Sequence, residues 1–176
     1  MLKRISLRGP VWETVETIVI ALALALLVRA FVVESFVVQG ESMEPTLQNG
    51  EHLLVNKAIY DFEAPKPGQI IVFHPPLPTQ RDFIKRVIAL GGQRFAMVNG
   101  IVYINGVPQP ENFLPVSYRG VANFPPTLVP PGDVWVLGDN RNNSEDSRYF
   151  GPVPLKSIRG QAIIIWWPPR YIGAVH

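Results

Sequence analysis

A serine in this sequence lies where a nucleophile could be presented to a substrate. Ser42 falls in the stretch VQGESMEPTL, between Gly40, which loosens the backbone, and Pro45, which ends regular structure. A bend of this composition is most often a plain turn. It becomes a candidate catalytic site only if a base from elsewhere in the chain can take the proton of the serine hydroxyl.

A lysine in a strand-like segment is the best candidate for that base. In DFIKRVIAL, alternation places Lys85 on one face with the apolar residues Phe83, Val87 and Ala89. Burial on such a face disfavours the charged amine and can lower its pKa toward neutrality, where it can activate a serine. Arg86 cannot serve, because a guanidinium stays protonated. The alternative is that Lys85 lies at a sheet edge with its amine in solvent.

The densest polar run in the chain, GDNRNNSEDSRYFGP, could support such a lysine. It mixes charges of both signs with many turn-forming residues, so a solvated loop is one interpretation. In the functional interpretation, the Ser144 hydroxyl orients a neutral lysine amine, and an Asp146–Arg148 pair holds the loop in place.

Other chemistries find little support in the sequence. The chain has no cysteine, which excludes thiolate catalysis, disulfides and cysteine-based metal sites. The histidines, His52, His74 and His176, do not have metal-ligand spacing, and we expect no metal and no cofactor. There is no GxSxG motif and no phosphate-binding glycine loop. A net charge of +2, with scattered basic residues, also argues against a nucleic-acid partner.

An apolar segment ahead of Ser42 is predicted to form a transmembrane anchor over residues 11–33. Only 17% of residues are charged, against about 25% in typical soluble domains, which favours a membrane protein. The uninterrupted apolar centre, residues 18–28, is shorter than the about 20 residues of a typical span, so Arg29 must reach toward an interface. Basic residues in the preceding segment predict a cytoplasmic N-terminus over residues 1–10.

Two other interpretations of this segment remain open. A cleaved signal peptide has the same basic start and short apolar centre, although no clear small-x-small cleavage site follows. A buried helix of a soluble protein would show an amphipathic pattern, which the apolar centre lacks.

The rest of the chain, residues 34–176, is predicted to be a β-rich catalytic domain outside the cytoplasm. FVVESFVVQG reads as a strand that leads to Ser42, and RFAMVNGIVYING as a hairpin that turns at Asn99-Gly100. Residues 106–131 are proline-rich and are predicted to form a loop or small appendage. QAIIIWWPP shows no alternation, which predicts a strand buried on both faces or pressed against lipid. The expected fold is mainly β: an antiparallel barrel-like domain with one N-terminal transmembrane helix.

Four motifs, in this order, resemble those of the bacterial type I signal peptidases, which are membrane-anchored Ser-Lys endopeptidases. They are GESMEPTL, GQIIVF, FIKRVIALGG and GDNRNNSEDSRYFGPV, and the resemblance covers nearly the whole chain. It implies that Ser42 is the nucleophile and Lys85 the general base. It also implies supporting roles for Gly40, Met43, Asp139, Asn140, Arg141, Ser144, Asp146 and Arg148.

The resemblance further implies a serine endopeptidase that removes N-terminal signal peptides from exported preproteins at the outer membrane surface. Cleavage would follow small residues at the first and third positions before the scissile bond, through an acyl-enzyme. Some members carry a serine where this chain has Gly40, so the chain resembles the short Gram-positive-type members, in which backbone donors bind the oxyanion. The implied partners are preproteins, the lipid bilayer and, functionally, the export machinery.

Two other function classes stay open at this point. A self-cleaving Ser-Lys repressor has a related protease fold but predicts an N-terminal DNA-binding module, where this chain has an apolar segment. A non-enzymatic, membrane-anchored β module gives no reason for Ser42 and Lys85 to meet. The distance between the serine oxygen and the lysine amine separates the enzyme from the binding module.

Overall fold

The computed structural model describes residues 10–175, without the side chains of residues 10, 11 and 27–31. Its helices are α1 (Pro10–Phe31), α2 (Ile59–Phe62), α3 (Val116–Arg119) and α4 (Ser147–Phe150). Its strands are β1 (Val33–Val37), β2 (His52–Asn56), β3 (Ile70–Phe73), β4 (Phe83–Leu90), β5 (Arg94–Val98), β6 (Ile101–Ile104), β7 (Val107–Pro108), β8 (Phe124–Leu128), β9 (Asp133–Leu137), β10 (Val153–Pro154), β11 (Ile158–Trp167) and β12 (Gly173–Ala174).

The helix predicted ahead of Ser42 is present as α1, which spans 22 residues and begins at a proline, as suits a first helical turn. Large apolar side chains between Trp12 and Leu26 are exposed along it. Among the residues that the structure describes, no helix is long and apolar enough to cross a membrane, so the predicted transmembrane helix is not found in this part of the chain. Residues 1–9 and the Arg29 side chain, on which that prediction depended, lie outside the described residues.

The larger sheet has eight strands in the order β1-β2-β11-β3-β4-β9-β10, with β12 added beside β11. All its pairs are antiparallel. Although three strands separate β1 from β4, both line the same cleft. The sheet therefore curls, as strand twist and the bulges in β11 and β4 favour. The predicted antiparallel, barrel-like β domain is confirmed.

A second sheet has four strands in the order β7-β6-β5-β8. The predicted hairpin is its β5–β6 unit, and Asn99 and Gly100 have φ of 49° and 79°, the left-handed values that a type I′ turn needs. The segment 106–131, predicted as a loop or small appendage, carries β7, α3 and β8. Prolines concealed β8 in the sequence; they are tolerated because β8 is an edge strand with a bulge.

Of the two environments predicted for the closing strand, burial on both faces is wrong. In β11, buried residues such as Ala162 and Ile165 alternate with more exposed positions, so the strand is not buried on both faces. Trp166 and Trp167 are 41% and 49% exposed. The sequence of this strand shows no alternation of apolar and polar residues because apolar residues occupy its exposed face as well.

The hydrophobic core holds the nucleophile loop and joins the two sheets. Met43 and Leu47 are fully buried in a cluster with residues of β2, β3 and β11. In a second cluster, Trp135 of β9 stacks on Phe95 of β5 with ring centroids 5.0 Å apart. Each large apolar side chain that is buried contributes about 1.5–3 kcal/mol. The bend that carries Ser42 is therefore held in place by the burial of Met43 and Leu47.

Candidate active site

Ser42 lies on a loop whose two ends are joined by hydrogen bonds and whose apolar side chains pack into the core. Val38 N–H donates to Glu51 O at 2.8 Å, and Gly50 N–H donates to Val38 O at 2.9 Å. Gly40 has a φ of 90°, which favours glycine, and its N–H donates to Asn49 Oδ1 at 3.0 Å. With the neighbouring Met43 side chain turned into the core, Ser42 is presented toward a cleft.

The structure brings the Lys85 amine to the Ser42 hydroxyl. Lys85 Nζ lies 2.7 Å from Ser42 Oγ and 3.1 Å from the Ile84 carbonyl oxygen. The lysine is only 4% exposed, and its amine lies 5.2 Å from the centre of the Phe83 ring. The alternative of a solvated lysine at a sheet edge is wrong. A neutral amine at this distance can take the serine proton directly.

Burial lowers the pKa of Lys85 from its ordinary 10.5 to about 8. The negative charges of Asp146, Glu145 and Asp139 act in the opposite direction, and the positive charge of Arg148 assists the lowering. Desolvation is the largest of these effects, because the low-dielectric surroundings penalise the ammonium form. A substantial fraction of the amine is therefore neutral in mildly alkaline solution.

The predicted Asp146–Arg148 pair is present and organises the polar loop. Arg148 Nε and Nη2 each donate to an Asp146 oxygen at 2.8 Å. The same fully buried carboxylate accepts the N–H of Gly138 at 3.0 Å, and that of Arg148 at the start of α4. One carboxylate thus ties the end of β9 to α4, close enough to Lys85 to act on its charge.

A second buried pair was not foreseen from the sequence. Arg86 Nε and Nη2 donate to the two Asp139 carboxylate oxygens at 2.9 and 2.7 Å, and Nη1 donates to Gly68 O at 2.7 Å. Thr46 Oγ1 also donates to Asp139, so this carboxylate links β4 to the nucleophile loop. The available signal was an arginine facing the core in a strand, which requires an acidic partner.

Arg141 holds the polar loop, and Asn140 connects that loop to the nucleophile loop. Arg141 forms a two-pronged pair with Glu111, buried at both partners, and its Nε donates to Gly138 O at 3.1 Å. Asn140 N–H donates to Ser42 O at 3.0 Å. Glu111 was also missed, because it lies in the proline-rich segment that the sequence shows as a loop.

Ser144 does not have the contact that was predicted for it. Its Oγ is buried and has no hydrogen-bond partner among the described residues, so it does not orient the Lys85 amine in this structure. It packs against Gly138 instead: a Cβ at that glycine would lie 2.2 Å from Ser144 Oγ and 2.5 Å from Ser42 O. Only a glycine at this position allows the nucleophile loop and the polar loop to approach so closely.

A cleft of about 490 Å³ opens in front of the dyad. The end of β1, the nucleophile loop and the residues leading into β4 form its walls. Apolar side chains provide most of the lining, namely Phe36, Val37, Val38, Met43, Phe83 and Ile84. Charged side chains at its edges are Arg81, Asp82 and Glu145. The cleft suits an extended chain with small side chains better than a compact polar ligand.

Comparisons with known proteins show the family to which the chain belongs. The profile of the family described as "Signal peptidase, peptidase S26" matches residues 11–167. A relative from Synechocystis sp., "Probable signal peptidase I-1", is 45% identical over 170 residues, covering 92% of this chain and 85% of the relative. "Signal peptidase I" of Bacillus caldolyticus is 38% identical, with 96% of each chain covered. The crystal structure of a signal peptidase I from Enterococcus faecalis superposes with a TM-score of 0.50 at 34% identity, covering 56% of this chain and 97% of that one.

Proposed function

The chain belongs to the signal peptidase family, peptidase S26, and is a signal peptidase that acts on preproteins bearing signal peptides; we propose that it cuts them with a Ser42–Lys85 dyad. The observation that carries this proposal is the 2.7 Å distance between the serine oxygen and a buried amine. A non-enzymatic β module would have no need for an amine that loses its charge beside a hydroxyl.

The chemistry follows from the protonation states of this pair. The neutral Lys85 amine takes the Ser42 proton as Oγ attacks the scissile carbonyl carbon, which forms a tetrahedral oxyanion. Collapse of that intermediate breaks the C–N bond, and the Lys85 ammonium returns the proton to the leaving amine. The resulting ester is hydrolysed by a water that Lys85 deprotonates, and release of the acid regenerates the free serine.

The backbone N–H of Ser42 is the proposed oxyanion donor. Within residues 10–175 it has no hydrogen-bond acceptor, whereas the Gly40 N–H is taken by Asn49. Asn140 Nδ2 donates to Glu41 O at 3.3 Å, and because that carbonyl shares a peptide plane with the Ser42 N–H, the N–H is oriented before a substrate arrives. Removing one such donor typically raises the barrier by about 3 kcal/mol.

The substrate is proposed to bind as an extended strand between β1 and the residues leading into β4. β1 ends the larger sheet and pairs on one side only, with β2, which leaves its other edge free for strand addition. Alternate side chains of an extended peptide point the same way, so the first and third residues before the scissile bond face one wall. Met43 and Ile84 are among the apolar side chains of the lining, and we propose that they restrict these two positions to small side chains.

The proposal includes attachment to the cell membrane, with the N-terminus in the cytoplasm and the catalytic domain outside. It is supported by the exposed apolar side chains of α1 and by the exposed indoles of Trp166 and Trp167, which suit a lipid interface. A protein placed there would receive preproteins as they leave the export machinery. Flotation of the full chain with lipid vesicles tests this placement, and recovery in the lipid-free fraction would contradict it.

Cleavage of a preprotein by the full chain in detergent tests the dyad. We expect Ser42→Ala to abolish product formation and labelling by a serine-directed acylating inhibitor, whereas Lys156→Arg, at an exposed lysine, leaves both intact. Equal turnover by Ser42→Ala and the unaltered protein would reject the mechanism and favour the binding module. Cleavage of its own chain alone would instead point to the self-cleaving repressor class.

A further inference from the structure

One carboxylate at the catalytic cleft has no part in holding the fold together. Glu145 lies on the polar loop between β9 and α4, is exposed, and lines the cleft beside Ser42 and Lys85. In the described part of the chain its side chain forms no hydrogen bond or ion pair. It lines the same cleft as the Lys85 amine, and its charge raises the pKa of that lysine.

Three other carboxylates act on Lys85 or line the cleft, and each has a cationic partner. Asp139 and Asp146 each bind an arginine through both oxygens, and both are fully buried. Asp82, the other carboxylate in the cleft lining, lies 3.4 Å from His74 and 3.7 Å from Arg159. Among the described residues that line the cleft, Glu145 is therefore the carboxylate without a cationic partner; Glu41, next to Ser42 in the sequence, does not line it and accepts a hydrogen bond from Asn143 Nδ2 at 3.3 Å.

The position of Glu145 indicates which half of the substrate meets this charge. Ser42 follows β1 and Lys85 lies near the start of β4, and both segments line the cleft together with the dyad. The apolar part of the cleft lies along those segments, so it receives the residues before the scissile bond. Glu145 belongs to neither segment and comes from the loop at the dyad end.

We propose that Glu145 determines a charge preference for the residues that follow the scissile bond, favouring basic over acidic side chains there. This inference rests on the proposed dyad and extends it to the leaving half of the substrate. A substrate ammonium or guanidinium within a few ångströms of the carboxylate is attracted, and a carboxylate is repelled. Solvent exposure keeps each effect modest, at about threefold in rate per charge, or about tenfold between lysine and glutamate.

The test uses three peptides of one signal-peptide sequence, with alanine at the first and third positions before the scissile bond. They differ only in the residue after it, which is lysine, glutamine or glutamate. For the unaltered full chain we expect kcat/KM to be about tenfold higher with lysine than with glutamate. Glu145→Gln should reduce this ratio to about twofold or less, and Glu145→Lys should invert it. Raising the salt to about 0.5 M should compress the unaltered ratio, because screening weakens exposed charges.

Asp82→Asn is the matched control, since it removes a charge from the same cleft at a paired position. It should keep the tenfold ratio. A ratio within twofold for the unaltered chain, or one that Glu145→Gln leaves unchanged, would overturn the inference while cleavage of the glutamine peptide upholds the dyad. If the unaltered chain cleaves the glutamine peptide no faster than Ser42→Ala does, the proposed dyad itself fails, which is a distinguishable result.

Discussion

The two faces of β4 place a buried cationic side chain in opposite electrostatic surroundings. Lys85 and Arg86 are adjacent and almost equally buried, at 4% and 2% exposure. Arg86 meets a carboxylate that accepts two of its N–H groups, so its charge is compensated where it is buried. Lys85 meets a hydroxyl, a carbonyl and an aromatic ring instead.

The difference shows how one strand can supply both structure and reactivity. Within residues 10–175, no carboxylate lies within ion-pair distance of the Lys85 amine; acidic groups act on it only from farther away. Their attraction is too weak to offset desolvation, and the amine becomes a base. A carboxylate in direct contact would have kept it protonated and inert.

Replacing the base tests the reactive face and should give the largest effect. Lys85→Arg restores a permanent charge at this position, so we expect kcat/KM to fall by at least about a thousandfold. Lys85→Met, which removes the amine but keeps the length of the side chain, should be equally inactive and fold normally. Circular dichroism of both variants checks the fold. Substantial turnover by either variant would show that another group serves as the base.

Removing the partner of Arg86 tests the structural face. Asp139→Ala leaves a buried guanidinium without its main acceptor, which should lower the unfolding free energy by about 3–5 kcal/mol. Denaturant unfolding measures the change. Glu63→Gln removes an exposed ion pair with Lys66 and serves as the control, with no measurable loss expected. Similar stabilities for the two variants would mean that the buried pair is not needed to hold β4 to the nucleophile loop.

Forcing the nucleophile loop and the polar loop apart tests whether their close packing holds Ser42 in position for catalysis. Gly138→Ala introduces a methyl group 2.5 Å from Ser42 O, and we expect about 2 kcal/mol of lost stability together with a marked loss of kcat. Gly160→Ala creates a comparable clash with Asn56 O, at 2.3 Å, away from the dyad. It should cost stability while sparing kcat. An equal loss of kcat in both would assign the effect to stability alone.

The pH dependence of the reaction gives the smallest but most specific effect. Because the base must be neutral and its pKa is about 8, kcat/KM should rise with pH through 8 and level off above it. The neutral fraction grows about tenfold between pH 7 and pH 9 for such a pKa. Initial rates on a peptide without ionisable side chains measure this. A flat profile across that range would argue against a titrating lysine.

Much of the fold could be predicted from the sequence because it depends on local patterns. Alternation located β4, and the Asn99-Gly100 pair located the hairpin, since both follow from backbone geometry over a few residues. β8 was not seen, because its prolines suit only an edge strand, and the sequence does not say which strands lie at edges.

The sequence by itself determined which side chains were available for chemistry: a serine on a bend, a lysine among apolar neighbours and no thiol. The tertiary structure alone decided which side chains come into contact. Ser42 and Lys85 are 43 positions apart, Arg86 and Asp139 are 53 apart, and Glu111 and Arg141 are 30 apart. The first of these contacts depends on the curl of the larger sheet, which brings β1 and β4 to one cleft. Periodicity is a property of neighbours in sequence, whereas desolvation and charge pairing depend on distant segments that fold together.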